Sequence, residues 1–327
     1  MMAINSLRLS VNLTLLGFVL VNILGYSRAA NNLPEDAPFT VPKQNVESSL
    51  KCIDASKPMN KPGGVILLVH GTLSAPDTWD HYVKVLPKKY NVCTIKLPDN
   101  SLSDVQVASE YVAYAIKILA QQSDTEKVKV ICHSQGCLNT QWALTFWPSL
   151  RIKVESFIAL AGDFAGTTAA KISCQSPKKD CPISYAQQSP NSNFLKALNS
   201  DQDSDSGASA LVLTFSIYSD LDDVVESSSS QLPGAKLIPI QSFCGKSYRL
   251  THLPIVIDSS TYQIVQDVLE FNSFLPSRVK FPCQLETLPL PDMDTLFKSP
   301  SFSRKSNLEP GLKPYVCSRG YATQCDS

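Results

Sequence analysis

The chain has 327 residues, 43% of them hydrophobic and 18% charged, which excludes a disordered or collagen-like polymer and allows a large core. Lys+Arg and Asp+Glu both number 29, so no net field draws the chain to nucleic acid, and no nucleic-acid partner is expected. The four histidines do not combine with the ten cysteines at metal-ligand spacing, so no metal is expected, and that many cysteines suits a large disulfide-bonded domain in an oxidising compartment.

The N-terminus agrees with that compartment. Arg8 precedes an apolar run from Val11 to Gly25, and Ser27-Arg28-Ala29 or Arg28-Ala29-Ala30 offers a small-residue cleavage end. Residues 1–30 read as a secretory signal peptide. The run is shorter than the ~20 residues of a membrane span, and Asn12 and Asn22 interrupt it. Its removal leaves 27 basic and 29 acidic residues, a net of −2. The sequon Asn12-Leu13-Thr14 would leave with it. Residues 31–327 read as one domain of a secreted, extracellular protein.

Asn31 to Lys61 is rich in Pro, Asn and Ser and reads as an extended lead-in. Val65 to Val69 is a continuous apolar run and reads as a buried parallel strand. Asp77 to Leu86 looks helical, and Tyr90 to Leu97 reads as a second strand. Asp104 to Gln122 is the clearest helix, with Val107, Tyr111, Tyr114, Ala115, Ile118 and Leu119 at 3-4 spacing and Ser103 or Asp104 as cap. Val128 to Cys132 is a third strand, followed by a helix from near Cys137 to Phe146. Phe157 to Leu160, Leu211 to Tyr218 and Lys236 to Pro239 are further strands, and Ser259 to Phe274 is the last helix. Strands alternating with helices predict a doubly wound, mostly parallel sheet with helices on both faces. Residues 167–190 read as an insertion near the active edge of the sheet, and Pro-rich sequence from about 281 as a wrapping tail.

Ile131-Cys132-His133-Ser134-Gln135-Gly136-Cys137 lies between a strand and a helix, the setting of a nucleophile elbow. A tight turn there holds a Ser Oγ at the sheet edge, and Gly136 supplies the small residue the turn needs. Cys132 stands where the G-x-S-x-G pattern has its first Gly. A triad in the order Ser, acid, His then requires a downstream base, and only His252 follows Ser134. Asp220, Asp222 and Asp223 follow the strand that ends at Tyr218, and the pattern leaves the acid open among them. His70-Gly71-Thr72 ends the first strand, the usual place for an oxyanion donor.

Leu67 to Thr72, Ser134-Gln135-Gly136 and Gln141 to Arg151 resemble the lipase B family of α/β-hydrolases, with the likeness running from about Val41 to Phe274. The resemblance implies Ser134 as nucleophile, His252 as base and Asp222 as acid. It implies Thr72 and the backbone N–H of Gln135 as oxyanion donors, and Asp163 and Gln188 as polar residues of the acyl pocket. His133 stands where the family has a Trp at the floor of the alcohol pocket. Cys52–Cys93 and Cys244–Cys283 match family disulfides by position, and Cys317–Cys325 replaces the family's tail bridge. Cys174–Cys181 is a local pairing particular to this chain. Cys132 and Cys137 are expected to be free, because a bridge between them would strain the elbow.

The expected activity is hydrolysis of carboxylic esters, as a lipase or esterase, through an acyl-enzyme. An acyltransferase using the same intermediate is the first alternative, and a non-catalytic lipid-binding protein on the same fold is the second. No cofactor and no obligate protein partner are implied. The partner is a lipid or other ester substrate, met through transient contact with a lipid interface. Glu286 to Glu309 is shorter, more polar and more Pro-interrupted than the family's apolar tail helix, so the site is expected to be open, with Lys171 to Ile183 as its cover.

Overall fold

Among the described residues, the strands β1 (Leu50–Cys52), β2 (Val65–Val69), β3 (Asn91–Ile95), β4 (Val128–His133), β5 (Val154–Leu160), β6 (Thr214–Tyr218) and β7 (Lys236–Pro239) form one seven-stranded sheet in the order β1-β3-β2-β4-β5-β6-β7. The computed structural model describes residues 34–53, 58–175, 181–200, 205–285 and 309–326. Its contacts separate Met1–Glu35 from Asp36–Ser327. Of the first unit only Pro34 and Glu35 are described, both without regular structure, so the expected signal peptide lies outside the described residues. Everything below concerns the second unit.

The lead-in holds more structure than its composition suggests. Helix α1 (Lys43–Ser49) runs directly into β1 (Leu50–Cys52), which pairs antiparallel with β3 (Asn91–Ile95) at the sheet edge. Val46 is the one apolar residue of α1 and the only buried one. A single apolar position gives no helical stripe, so periodicity could not reveal this helix.

The remaining strands are parallel. They are β2 (Val65–Val69), β3, β4 (Val128–His133), β5 (Val154–Leu160), β6 (Thr214–Tyr218) and β7 (Lys236–Pro239). Every β2 residue is buried, yet the two-residue period still sorts them. Val65, Leu67 and Val69 join one core, with Val130 and Cys132 of β4 and Phe157 and Ala159 of β5. Ile66 and Leu68 join the other, with Ile131, Ile158 and Leu160. Helices cover each face. On the first lie α3 (Val105–Gln122) and α4 (Gln135–Phe146), and on the second α2 (Asp80–Val85), α8 (Gln241–Cys244) and α9 (Ser259–Phe271). The chain therefore has the α/β-hydrolase arrangement expected of it.

Caps set several boundaries. Asp104 accepts the N–H of Gln106 and starts α3. Asn272 takes a left-handed conformation and ends α9 three residues before the expected Phe274, a role for which Asn is suited. Helix α4 starts at Gln135, directly behind the Ser134 turn, and all twelve of its residues are buried.

Residues 167–190 contribute α5 (Thr168–Cys174) and α6 (Ile183–Gln188), followed by α7 (Asn193–Leu198). The middle of the expected cover, residues 176–180, lies outside the described residues, as does 286–308 of the tail. The described tail includes α10 (Pro314–Ser318) and packs on α4. Trp142 Nε1 donates to Tyr315 Oη at 3.0 Å, and Arg319 donates to the carbonyls of Thr145 and Phe146 at 2.8 and 2.9 Å. Among the described residues, no helix is long and apolar enough to cross a membrane.

Candidate active site

The ends of β2 and β4 nearly touch, and glycines make the approach workable. A Cβ on Gly136 would lie 2.5 Å from Val69 O and 2.6 Å from His70 O. A Cβ on Gly71 would lie 2.8 Å from Ser134 Cβ. Between them Ser134 has φ 53° and ψ −131°, a conformation that L-residues avoid. Such backbone costs about 1–3 kcal/mol and persists where the surroundings over-determine it. The turn lifts Oγ from the sheet edge at the start of α4.

Beneath this turn the structure corrects one expectation. Cys132 and Cys137 are not free but bridged, with Cα atoms 5.0 Å apart. The elbow folds the end of β4 back onto the first turn of α4, so the two side chains meet below Ser134 at ordinary bridging distance. The other pairs are Cys52–Cys93, Cys174–Cys181, Cys244–Cys283 and Cys317–Cys325, leaving no free cysteine. Cys52 and Cys93 are direct cross-strand neighbours in β1 and β3.

Two loops bring partners to Ser134. His252 Nε2 lies 2.9 Å from Ser134 Oγ, and His252 Nδ1 lies 2.8 Å from Asp222 Oδ2. Asp222 Oδ1 accepts the N–H groups of Val224 and Val225 at 2.9 and 2.8 Å. Burial pushes its carboxyl pKa up, but the hydrogen bond to His252, that ring's charge and the two N–H groups hold it below the usual carboxylate range. Asp223 instead accepts the backbone N–H of His252 at 3.1 Å. Asp220 is exposed, and its backbone N–H donates to Gln241 Oε1 at 2.9 Å. Of the three aspartates, Asp222 alone meets the imidazole ring.

Thr72 and Gln135 meet through their side chains. Thr72 Oγ1 donates toward Gln135 Oε1 at 2.5 Å and toward Gln188 Oε1 at 3.1 Å. Gln188 Nε2 donates to the same Gln135 oxygen at 2.9 Å and to Ser184 O at 3.0 Å. The resemblance implies only the backbone of Gln135, and nothing in the sequence pattern signals this amide relay. The N–H of Gln135 opens α4, where helical N–H groups lack partners within the helix. His70 braces the adjoining loop. Leu97 N–H donates to His70 Nε2 at 3.0 Å, so the ring proton sits on Nδ1, 3.0 Å from Gly71 O. Burial pulls the His70 pKa down to about 4, and the ring stays neutral.

His133 and Asp163 are buried around the same centre. The His133 ring lies 4.7 Å from that of His252, and its Nε2 lies 3.0 Å from His252 O. A carbonyl only accepts, so Nε2 carries the proton. Nδ1 then has no partner among the described residues. Burial, then the neighbouring His252 charge, pulls the His133 pKa down to about 3. Asp163 is fully buried, and neither of its carboxyl oxygens has a partner among the described residues. Burial pushes its pKa up to about 7 against the lowering effect of His252. No group of three or more His, Cys, Asp or Glu able to hold a metal occurs among the described residues.

Comparison with known proteins fits this geometry. The chain is similar to lipase B of Pseudozyma antarctica, 29% identical over 337 residues that cover 94% of each chain. It is similar in structure to lipase B of Aspergillus fumigatus, with a TM-score of 0.73, 27% identity, and coverage of 87% of this chain and 74% of that one. The mature lipase BlEst2 of Bacillus licheniformis shares the fold, with a TM-score of 0.52, 16% identity, and coverage of 67% and 97%. No protein-family model matches the chain. The two lipase B matches bear out the resemblance drawn from the motifs.

Proposed function

We propose that this carboxylic ester hydrolase works through a Ser134–His252–Asp222 triad and an acyl-enzyme. The observation that carries the reading is the hydrogen-bonded line from Ser134 Oγ through both His252 nitrogens to Asp222, with Ser134 raised on a strained strand-to-helix turn. Ser134 Oγ attacks the ester carbonyl while His252 Nε2 takes its proton. Asp222 keeps the proton on Nδ1 and stabilises the imidazolium that forms. The same proton then passes to the leaving alcohol. Water repeats the sequence against the acyl-enzyme and releases the acid.

The developing oxyanion sits at the backbone N–H of Gln135 and at Thr72. One such donor is worth about 3–4 kcal/mol in comparable sites. The Thr72 hydroxyl at rest points into the amides of Gln135 and Gln188, so in the transition state it turns from an amide oxygen to the oxyanion. Asp163 and Gln188 line the acyl side, and His133 floors the alcohol side. Five disulfides support a secreted, extracellular enzyme. The substrate class is a lipid or other ester.

A panel of p-nitrophenyl esters and triglycerides of graded acyl length, run with Ser134→Ala, tests this reading. Hydrolysis that disappears in the variant supports it. Hydrolysis that survives at the wild-type rate overturns it.

A further inference from the structure

We infer that the Cys132–Cys137 disulfide is a positioning device for the nucleophile, holding Ser134 at the angle that His252 meets. The inference rests on the reading of Ser134 given above. The bridge spans the backbone segment in which the nucleophile itself sits at positive φ. Cys132 is the penultimate residue of β4, Cys137 is the third of α4, and Ser134 with φ 53° lies between them. Backbone in such a region relaxes toward ordinary angles unless it is held on every side.

One side is held by close packing, where Gly71 and Gly136 press against Ser134 Cβ and the carbonyls of Val69 and His70. The other side is the bridge. Its Cys137 also abuts the turn after β5, since a Cβ on Gly162 would lie 3.0 Å from Cys137 Cβ. That turn leads directly into Asp163.

Loop length argues for a local role. The bridge joins residues only 5 apart, whereas Cys52–Cys93 joins residues 41 apart. A short closed loop removes less freedom from the unfolded chain than a long one, so a larger share of this bridge's effect falls on the folded turn. Both cysteines are fully buried. A reductant in solution reaches them only after the core opens, which makes the bridge a fixed brace and not a redox switch.

The test compares the Cys132→Ala/Cys137→Ala pair with the Cys317→Ala/Cys325→Ala pair, which removes a bridge in the tail. Both are assayed well below their melting temperatures for kcat, for KM and for the rate at which a phosphonate ester labels Ser134. The first pair should lose about 10- to 100-fold in kcat and in labelling rate, the scale of a 1 Å misplacement, with KM within about two-fold. The tail pair should keep both rates. A Cys132→Ala/Cys137→Val pair refills the sulfur volume without the covalent link and should show the same loss. Wild-type rates in either folded elbow pair, with only a lower melting temperature, would overturn the inference. Failure of both elbow pairs to fold would also overturn it, by assigning the bridge to folding. A wild-type enzyme that is never labelled at Ser134 would instead remove the reading on which the inference rests.

Discussion

Asp223 Oδ1 accepts the backbone N–H of His252 at 3.1 Å while Asp222 Oδ2 takes the ring Nδ1 at 2.8 Å, so consecutive aspartates hold one histidine by its main chain and by its ring. The two contacts separate in their consequences. Asp222→Asn leaves the imidazolium unpaired and favours the wrong tautomer, so kcat should fall by about 10⁴-fold. Asp223→Asn keeps an oxygen that can accept the same N–H, and activity should be retained. Asp220→Asn should be silent. Steady-state kinetics on the three variants decides the acid, and an inactive Asp220→Asn would refute the assignment.

A methyl group tests the elbow from above. Gly136→Ala would put its Cβ 2.5 Å from the Val69 carbonyl, and backbone cannot yield as a flexible side chain can. The variant should lose about 1–3 kcal/mol of stability, as overpacked sites do. It should also lose about 100-fold in kcat, because Ser134 must shift with the turn. Urea unfolding and kinetics measure the two effects separately.

The buried titratable groups set a pH slope. Asp163 is raised from 3.8 to about 7, so the folded state keeps a proton there that the unfolded state loses above about pH 4. Stability from this group falls as pH rises from about 4 to about 7. His70 and His133, lowered to about 4 and about 3, stay neutral in the fold while the unfolded chain protonates them below 6.5. Stability from these two rises with pH up to 6.5. Between about pH 4.5 and 6 the unfolded state binds two of these protons and the folded state one, so these groups make stability climb with pH. Asp163→Asn removes the opposing proton, and its unfolding free energy should climb more steeply by about 1.4 kcal/mol per pH unit. Parallel curves for the two proteins would show that Asp163 is ionised in the fold.

His133 offers a test of the alcohol side. Replacing it with the larger, apolar Trp should sharpen discrimination between secondary-alcohol enantiomers by about 1–2 kcal/mol. The hydrogen bond to His252 O is lost in the same variant, so kcat should drop for both enantiomers. An unchanged enantiomeric ratio would take His133 out of the pocket.

Local chemistry was legible in the chain where it is written locally. A buried strand, Ser134, Gly136 and a helix stand in one short stretch, and only one histidine follows them. The acid was not legible from pattern, because Asp220, Asp222 and Asp223 differ only in how the loop turns their side chains. Helix α1 and strand β1 leave no pattern to read, because Val46 alone is buried in α1 and β1 is three residues long. The Cys132–Cys137 bridge is not legible in the spacing, which says nothing of how sharply a turn folds back. The Thr72–Gln135–Gln188 relay joins residues up to 116 positions apart, which no local motif records.

The most direct measurement is a rapid acid quench of the enzyme during turnover of a p-nitrophenyl ester, followed by peptide mapping of the acyl group. One acyl group per chain should appear on Ser134, with a matching burst of p-nitrophenol, and neither should appear in Ser134→Ala. Steady hydrolysis by Ser134→Ala at the wild-type rate, or an acyl group mapped to any other residue, would contradict a nucleophile at Ser134.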